Sequence, residues 1–236
     1  MGCSMVADDP YGRFDFSGGY EVEPEAWAYA VCPVSGVAFD VGAHVGNYTF
    51  KFSRMVGDGG RVYGFEPGDY AFRVLSRNMG LYGWDNVSVY QYAVSDYDGV
   101  GLLFSGRDGT TETHNNFLMR SCVFEPFGDL SMDEIYERGL YVGHRMDSVR
   151  VVKLDTFVEE QGLDRLDLVK VDVEGAELKV LKGAWESLKR FSPLLYVEVH
   201  YGQDVVGLVA ELGYVVKAFV ENVRGSTNPI VVLERI

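Results

Sequence analysis

The stretch Val37-Ala-Phe-Asp-Val-Gly-Ala-His-Val-Gly-Asn-Tyr-Thr-Phe50 limits what this chain can become more than any other. It begins as an apolar strand, Val37 to Val41, and breaks at Gly42. Gly46 follows, and Tyr48, Phe52, Met55 and Val56 then recur at helical spacing. A buried strand that runs through glycines into a helix is the first turn of a nucleotide-binding α/β unit. Glycine lacks a Cβ, so the backbone N–H groups of the turn can approach a ligand closely. The helix start beyond it offers unpaired donors to a negative group.

A dinucleotide turn reads G-x-G-x-x-G, and its middle glycine lets a diphosphate lie against the chain. Here Gly42 and Gly46 stand four apart and position 44 is histidine, which speaks against an NAD-dependent enzyme on the same architecture. The turn suits a smaller, partly cationic ligand, and Asp40 adds a carboxylate at the strand end that could attract an ammonium or sulfonium. A second strand, Arg61 to Phe65, ends in Glu66-Pro67. An acid there is placed to hold ribose hydroxyls as a two-point acceptor. Glycine turn, ribose acid and acidic strand end together suggest S-adenosylmethionine as the cofactor. The expected contacts are Asp40, Gly42, Ala43, His44, Gly46, Asn47, Glu66 and Pro67. Ala93, at the exit of a third strand from Val87, would leave room for a flat base.

The remaining sequence alternates strands and helices. A helix opening at Asp69 carries Phe72, Leu75, Met79 and Tyr82 on one face, with Gly80 and Gly83 helping to end it. Strands are expected at 100–104, 149–154, 166–171, 194–199, 214–220 and 230–234, and Asp155 is read as the cap of a short helix. A longer helix follows Glu174-Gly175, and another runs from Asp204 to Leu212. No helix separates the last two strands, so they should pair antiparallel. The expectation is an α/β fold with a seven-stranded, mostly parallel sheet, one reversed strand at its edge, and helices on both faces. One domain spans 1–236, with an N-terminal leader over 1–35, holding a short helix near Pro24, and a substrate-side insertion over about 105–148. A capping box at Ser131 opens a short helix inside that insertion, which also holds His114 and His144.

Composition sets the outer bounds. With 47% hydrophobic and 14% aromatic residues the chain is globular. A net charge of −14 disfavours binding along a nucleic-acid backbone or on an anionic membrane. Cys3, Cys32 and Cys122 are far apart and odd in number, consistent with reduced thiols in a cytoplasmic protein. No signal peptide is evident, and no stretch approaches the ~18 apolar residues of a membrane span. The expected partner is a small-molecule or carbohydrate acceptor, and a homo-oligomer is left open.

Several segments resemble the FkbM-type S-adenosylmethionine-dependent methyltransferases. They are 39–47, Gly64-Phe-Glu-Pro67, Ala93-Val-Ser-Asp96, Val152-Lys-Leu-Asp155, 168–177 with its Lys-Val-Asp-Val-Glu-Gly-Ala-Glu run, Val180-Leu-Lys-Gly183 and Val197-Glu-Val-His200. They follow the family's order, although His44 stands where the family usually has asparagine. The resemblance implies a class I methyltransferase fold and O-methylation, often of a sugar or natural-product hydroxyl. Such a reaction must align donor and acceptor and remove a hydroxyl proton. Candidates at the later strand ends are Asp172, Glu174, Glu198 and His200. His200 is the expected base, since neutral imidazole accepts a proton near neutral pH. Asp172 would orient it or hold the donor's ammonium, and Glu174 is the rival base. Glu177 is read as stabilising a helix N-terminus. These side chains could bind a hard cation, but nothing in their spacing demands one, so no metal is expected. A catalytically inactive nucleotide-binding module on the same fold is the remaining alternative, disfavoured by an intact Asp40, Glu66, Asp172 and His200.

Overall fold

Alternation along the first strand sets the layers of the molecule. The computed structural model describes residues 33–106, 122–124, 144–173, 175–200, 203–220 and 229–236. In β1 (Val37–Val41) every residue is buried. Val37, Phe39 and Val41 join one apolar cluster, while Ala38 joins another with Phe52, Val56, Val62 and Leu168. A strand buried on both faces belongs in the middle of a sheet covered on both sides.

The main sheet also contains β2 (Arg61–Phe65), β3 (Val87–Tyr90), β8 (Leu168–Val171), β9 (Leu194–Glu198), β10 (Tyr214–Val220) and β11 (Ile230–Arg235), in the order β10-β11-β9-β8-β1-β2-β3. β1 pairs in parallel with β2 and β8, so the direction of winding switches between β1 and β8. In open α/β sheets ligands bind beyond the carboxyl ends at such a switch. β11 runs antiparallel to both β9 and β10. The reversed strand is therefore one position in from the edge rather than at it.

Helices α1 (Asn47–Val56) and α2 (Asp69–Tyr82) follow the first two strands. Phe52, Met55 and Val56 of α1 and Leu75 and Met79 of α2 are buried, as their spacing predicts. Gly83 ends α2 in the left-handed conformation with φ 59°, whereas Gly80 lies within the helix. One face of the sheet carries an aromatic cluster around Phe157, with ring centroids 4.8 Å from Phe65, 5.1 Å from Tyr90 and 5.7 Å from Phe39. Edge-to-face contacts of this kind suit the ring quadrupoles.

A second sheet was not foreseen. The expected third strand divides after Tyr90, and its second half, β4 (Tyr92–Val94), leaves the main sheet. It pairs with β7 (His144–Val152), which pairs in turn with β5 (Gly99–Gly106), and β5 with β6 (Cys122–Phe124). Much of this lies in the span read as an insertion. Residues 1–32 of the leader, the helix after Ser131 and His114 lie outside the described residues.

Asp155 also differs from expectation. It sits in the first turn of α3 (Leu154–Glu160), and its carboxylate accepts the backbone N–H groups of Glu186 and Ser187 at 3.1 and 2.8 Å. It thus caps α5 (Trp185–Phe191) across the interface rather than its own helix. The single helix expected after Gly175 is two, α4 (Glu177–Gly183) and α5, separated at Ala184. The helix expected from Asp204 to Leu212 is α6 (Val205–Ala210), with Asp204 as its cap, accepting Gly207 N at 2.7 Å. Among the described residues no helix is long and apolar enough to cross a membrane.

Candidate functional site at the strand switch

The glycine turn is clamped between the ends of β2 and β8. Gly42 N and Ala43 N both donate to the Phe65 carbonyl, at 3.0 and 2.9 Å. Gly42 has φ 76°, and a Cβ there would fall 1.8 Å from the Asp172 carbonyl oxygen. Only glycine tolerates both the left-handed backbone and that approach. Gly46, φ 101°, opens α1 with no side-chain cap, and a Cβ would meet Leu75 Cδ1 at 2.7 Å. Asn47 is the first residue of α1 and partly exposed.

His44 and Glu66 complete the turn. His44 takes φ 52°, and its N–H donates to Glu66 Oε2 at 2.9 Å. Glu66 Oε1 accepts Gly68 N at 2.8 Å. Each carboxylate oxygen has a second lone pair, so Glu66 can still accept two hydroxyls. It is 7% exposed, and burial pushes its pKa up to about 7 against the pull of these two N–H groups. Burial also pushes His44 down to about 4, so its imidazole is neutral, and its buried Nε2 has no hydrogen-bond partner among the described residues. Pro67 follows Glu66 and is partly exposed.

Asp40 does not open on this cleft. It is wholly buried, and Thr49 Oγ1 donates to its Oδ2 at 2.6 Å. Its Oδ1 lies 3.2 Å from Lys170 Nζ. Asp40 and Lys170 are register partners on β1 and β8, so they share a face of the sheet beneath α1. Lys170 also donates to the Gly42 carbonyl at 2.8 Å, lies 3.4 Å from Asp172 Oδ2, and sits 5.2 Å from the Tyr48 ring centre. Burial works against its charge, but Asp40 and Asp172, with a smaller contribution from Glu198, more than offset it and hold its pKa above the ordinary lysine value. The ammonium expected to draw Asp40 is therefore the chain's own, which takes the direct donor contact away from that carboxylate.

At the end of β9, His200 is 2% exposed. Its Nδ1 lies 2.7 Å from Oε1 of Glu177, which is also wholly buried and accepts Gly175 N at 3.0 Å. A carboxylate on Nδ1 favours the tautomer with the proton there and the lone pair on Nε2. Nε2 lies 3.7 Å from Glu198 Oε1. One side-chain donor atom from each of Asp172, Glu198 and His200 falls within 4.8 Å of the others, a grouping that could hold a metal ion. The carboxylate that touches His200 Nδ1 is thus Glu177, read from sequence as a helix-end charge, and not Asp172, which faces Lys170.

The structure brings Gly42, Ala43, His44, Gly46, Glu66, Asp172 and His200 to neighbouring strand ends. Ala93 goes elsewhere: it is buried with Leu103, Val149 and Val151 in the core of the second sheet. Glu174 lies outside the described residues. Sequence reasoning missed Lys170, although a lysine inside the apolar strand Leu168-Val-Lys-Val171, two places from Asp172, is a signal in itself, since lysine is almost never buried unless paired.

The methyltransferase FkbM domain matches residues 40–216. A methyltransferase of Sordaria araneosa, sdnD, is 29% identical over 66% of this chain and 65% of its own length. The 31-O-demethyl-FK506 methyltransferase FkbM of Streptomyces tacrolimicus is 28% identical over 75% of this chain and 68% of its own. The chain thus spans about two thirds of the length of these curated relatives. A crystal structure of methyltransferase FkbM from Methylobacillus flagellatus superposes with a TM-score of 0.57 at 16% identity, covering 90% of this chain and 50% of that one.

Proposed function

The chain belongs to the FkbM methyltransferase family, and from that premise we propose that it transfers the methyl group of S-adenosylmethionine to a hydroxyl oxygen of a sugar, glycan or natural product. The observation that carries this reading is the meeting of two features at the β1/β8 switch. A glycine turn leaves no room for a Cβ, and beside it Glu66 is half satisfied by backbone N–H groups and has acceptor capacity to spare. Those residues fit an adenosyl ligand: the turn allows close approach and Glu66 takes ribose hydroxyls. When bound, S-adenosylmethionine supplies an electrophilic methyl on a positively charged sulfur. Acidic groups at the cleft, Asp172 and Glu198, favour that charge.

The chain's own part in the reaction is alignment and proton removal. His200 is the proposed proton acceptor at Nε2, with Glu177 fixing the ring and stabilising the imidazolium that forms. Asp172, which shares a grouping with His200 and Glu198, is the remaining described candidate for handling the hydroxyl, and Glu174 stays a rival base on the sequence alone. The name of the Streptomyces tacrolimicus relative specifies an oxygen acceptor, which supports the same chemistry here.

The test is a screen of hydroxylated sugars and natural products with methyl-labelled donor, followed by steady-state kinetics of His200→Ala. The expected result is label on oxygen, with turnover falling about 10²-fold or more while S-adenosylhomocysteine binds as before. Transfer to nitrogen or carbon, or an unchanged rate in the variant, refutes the assignment. A thermal shift produced by NAD and not by S-adenosylhomocysteine would refute the donor.

A further inference from the structure

We propose that Lys170 is the resident counterion of the donor-binding end of the sheet, and that its ammonium makes donor binding independent of divalent cations. The inference rests on the donor site described above. Carboxylates crowd this end: Asp40 from β1, Glu66 after β2, Asp172 after β8, and Glu177 and Glu198 around His200. Sites of that composition commonly hold a hard cation. Here a lysine has been threaded into the strand beneath them.

Three oxygens surround Lys170 Nζ: it donates a hydrogen bond to Gly42 O at 2.8 Å, and Asp40 Oδ1 and Asp172 Oδ2 lie at ion-pair distance, 3.2 and 3.4 Å. They come from the turn, from the strand before it and from the end of the neighbouring strand. One charge thereby joins the three segments that form the floor of the cleft. The Tyr48 ring closes the fourth side, and its hydroxyl meets that of Tyr196 at 2.7 Å. Lys170 is 2% exposed, so bulk solvent screens these contacts little.

The group Asp172, Glu198 and His200 has the spacing of a metal site, but one carboxylate of that group is already against Lys170. A divalent ion placed there would meet a fixed positive charge through the same Asp172 carboxylate. The lysine does electrostatically what the ion would do, with the added constraint of a hydrogen bond to the turn.

The experiment is calorimetric titration of the full chain with S-adenosylhomocysteine, for wild type and Lys170→Met, each in EDTA and in excess magnesium. Wild type should bind equally in both buffers. Lys170→Met should bind at least about tenfold more weakly in EDTA, because it leaves the buried Asp40 and the cleft-side Asp172 without compensation, and magnesium should restore part of the loss. Wild type weakened by EDTA, Lys170→Met as tight as wild type, or Lys170→Met equally weak in both buffers would each overturn the proposal. If Lys170→Met fails to fold, judged by its thermal unfolding, the wild-type chelation arm decides alone. A wild-type chain that binds no S-adenosylhomocysteine in either buffer fails the donor reading itself.

Discussion

Glu66 should make donor binding and the stability of the empty protein respond to pH in opposite directions. Its carboxyl is raised from an ordinary 4.5 to about 7, chiefly by burial. Below about pH 4.5 the group is protonated in folded and unfolded chains alike, and its contribution to stability is fully present. Between there and pH 7 the unfolded chain ionises first, so the unligated protein loses stability, by about 3 kcal/mol in all from this group. For a domain of this size that is roughly 6–12 °C in Tm. Ribose hydroxyls need the ionised form as acceptor, so affinity for S-adenosylhomocysteine should climb through pH 7, by up to about tenfold per pH unit below it. Glu66→Gln removes the titration and should flatten both curves, with weaker binding throughout. Thermal unfolding and calorimetry of both proteins between about pH 5 and 8 test this. Parallel Tm–pH curves for the two proteins, or wild-type affinity that is flat across the range, would refute the reasoning.

Two further substitutions bear on the site. Gly42→Ala should lower stability by about 2–5 kcal/mol, from a left-handed backbone and a Cβ 1.8 Å from a carbonyl oxygen, read as a fall in Tm with loss of donor binding. Glu177→Gln should lower turnover by roughly 10-fold to 100-fold and shift the pH–rate profile while leaving donor affinity intact, because it changes the partner of His200 Nδ1 and nothing at the turn.

Much of the architecture was legible because it rests on local patterns. The apolar strands, the glycine at each turn and the helical spacing of Phe52, Met55 and Val56 each signal their own element, and the structure keeps them. What could not be read were partnerships between distant residues of ordinary type. Asp155 caps a helix about thirty residues away, because α3 and α5 pack together only in the fold. Glu177 looks like any acid in a first helical turn until β9 brings His200 against it. Asp40 was expected to face a ligand, but period-two alternation puts it on the α1 side, where Lys170 and Thr49 take its oxygens. Ala93 kept its small side chain for the second sheet, whose existence depends on pairing β4 with residues nearly sixty positions later.

That second sheet has a structural consequence for how a local disturbance spreads. β5 and β7 form the long central ladder of that sheet, and its root is tied down by Asp98, whose carboxylate accepts Lys153 N and Thr156 Oγ1 at 2.8 Å each, where α3 begins. Gly106 and His144 are register partners at the far end of that ladder, eight paired positions from Gly99 and Val151 counted inclusively. The anchored base and the paired length together mean that a disturbance at the Gly106–His144 end has the whole ladder to relax over before it reaches Asp98 and the start of α3.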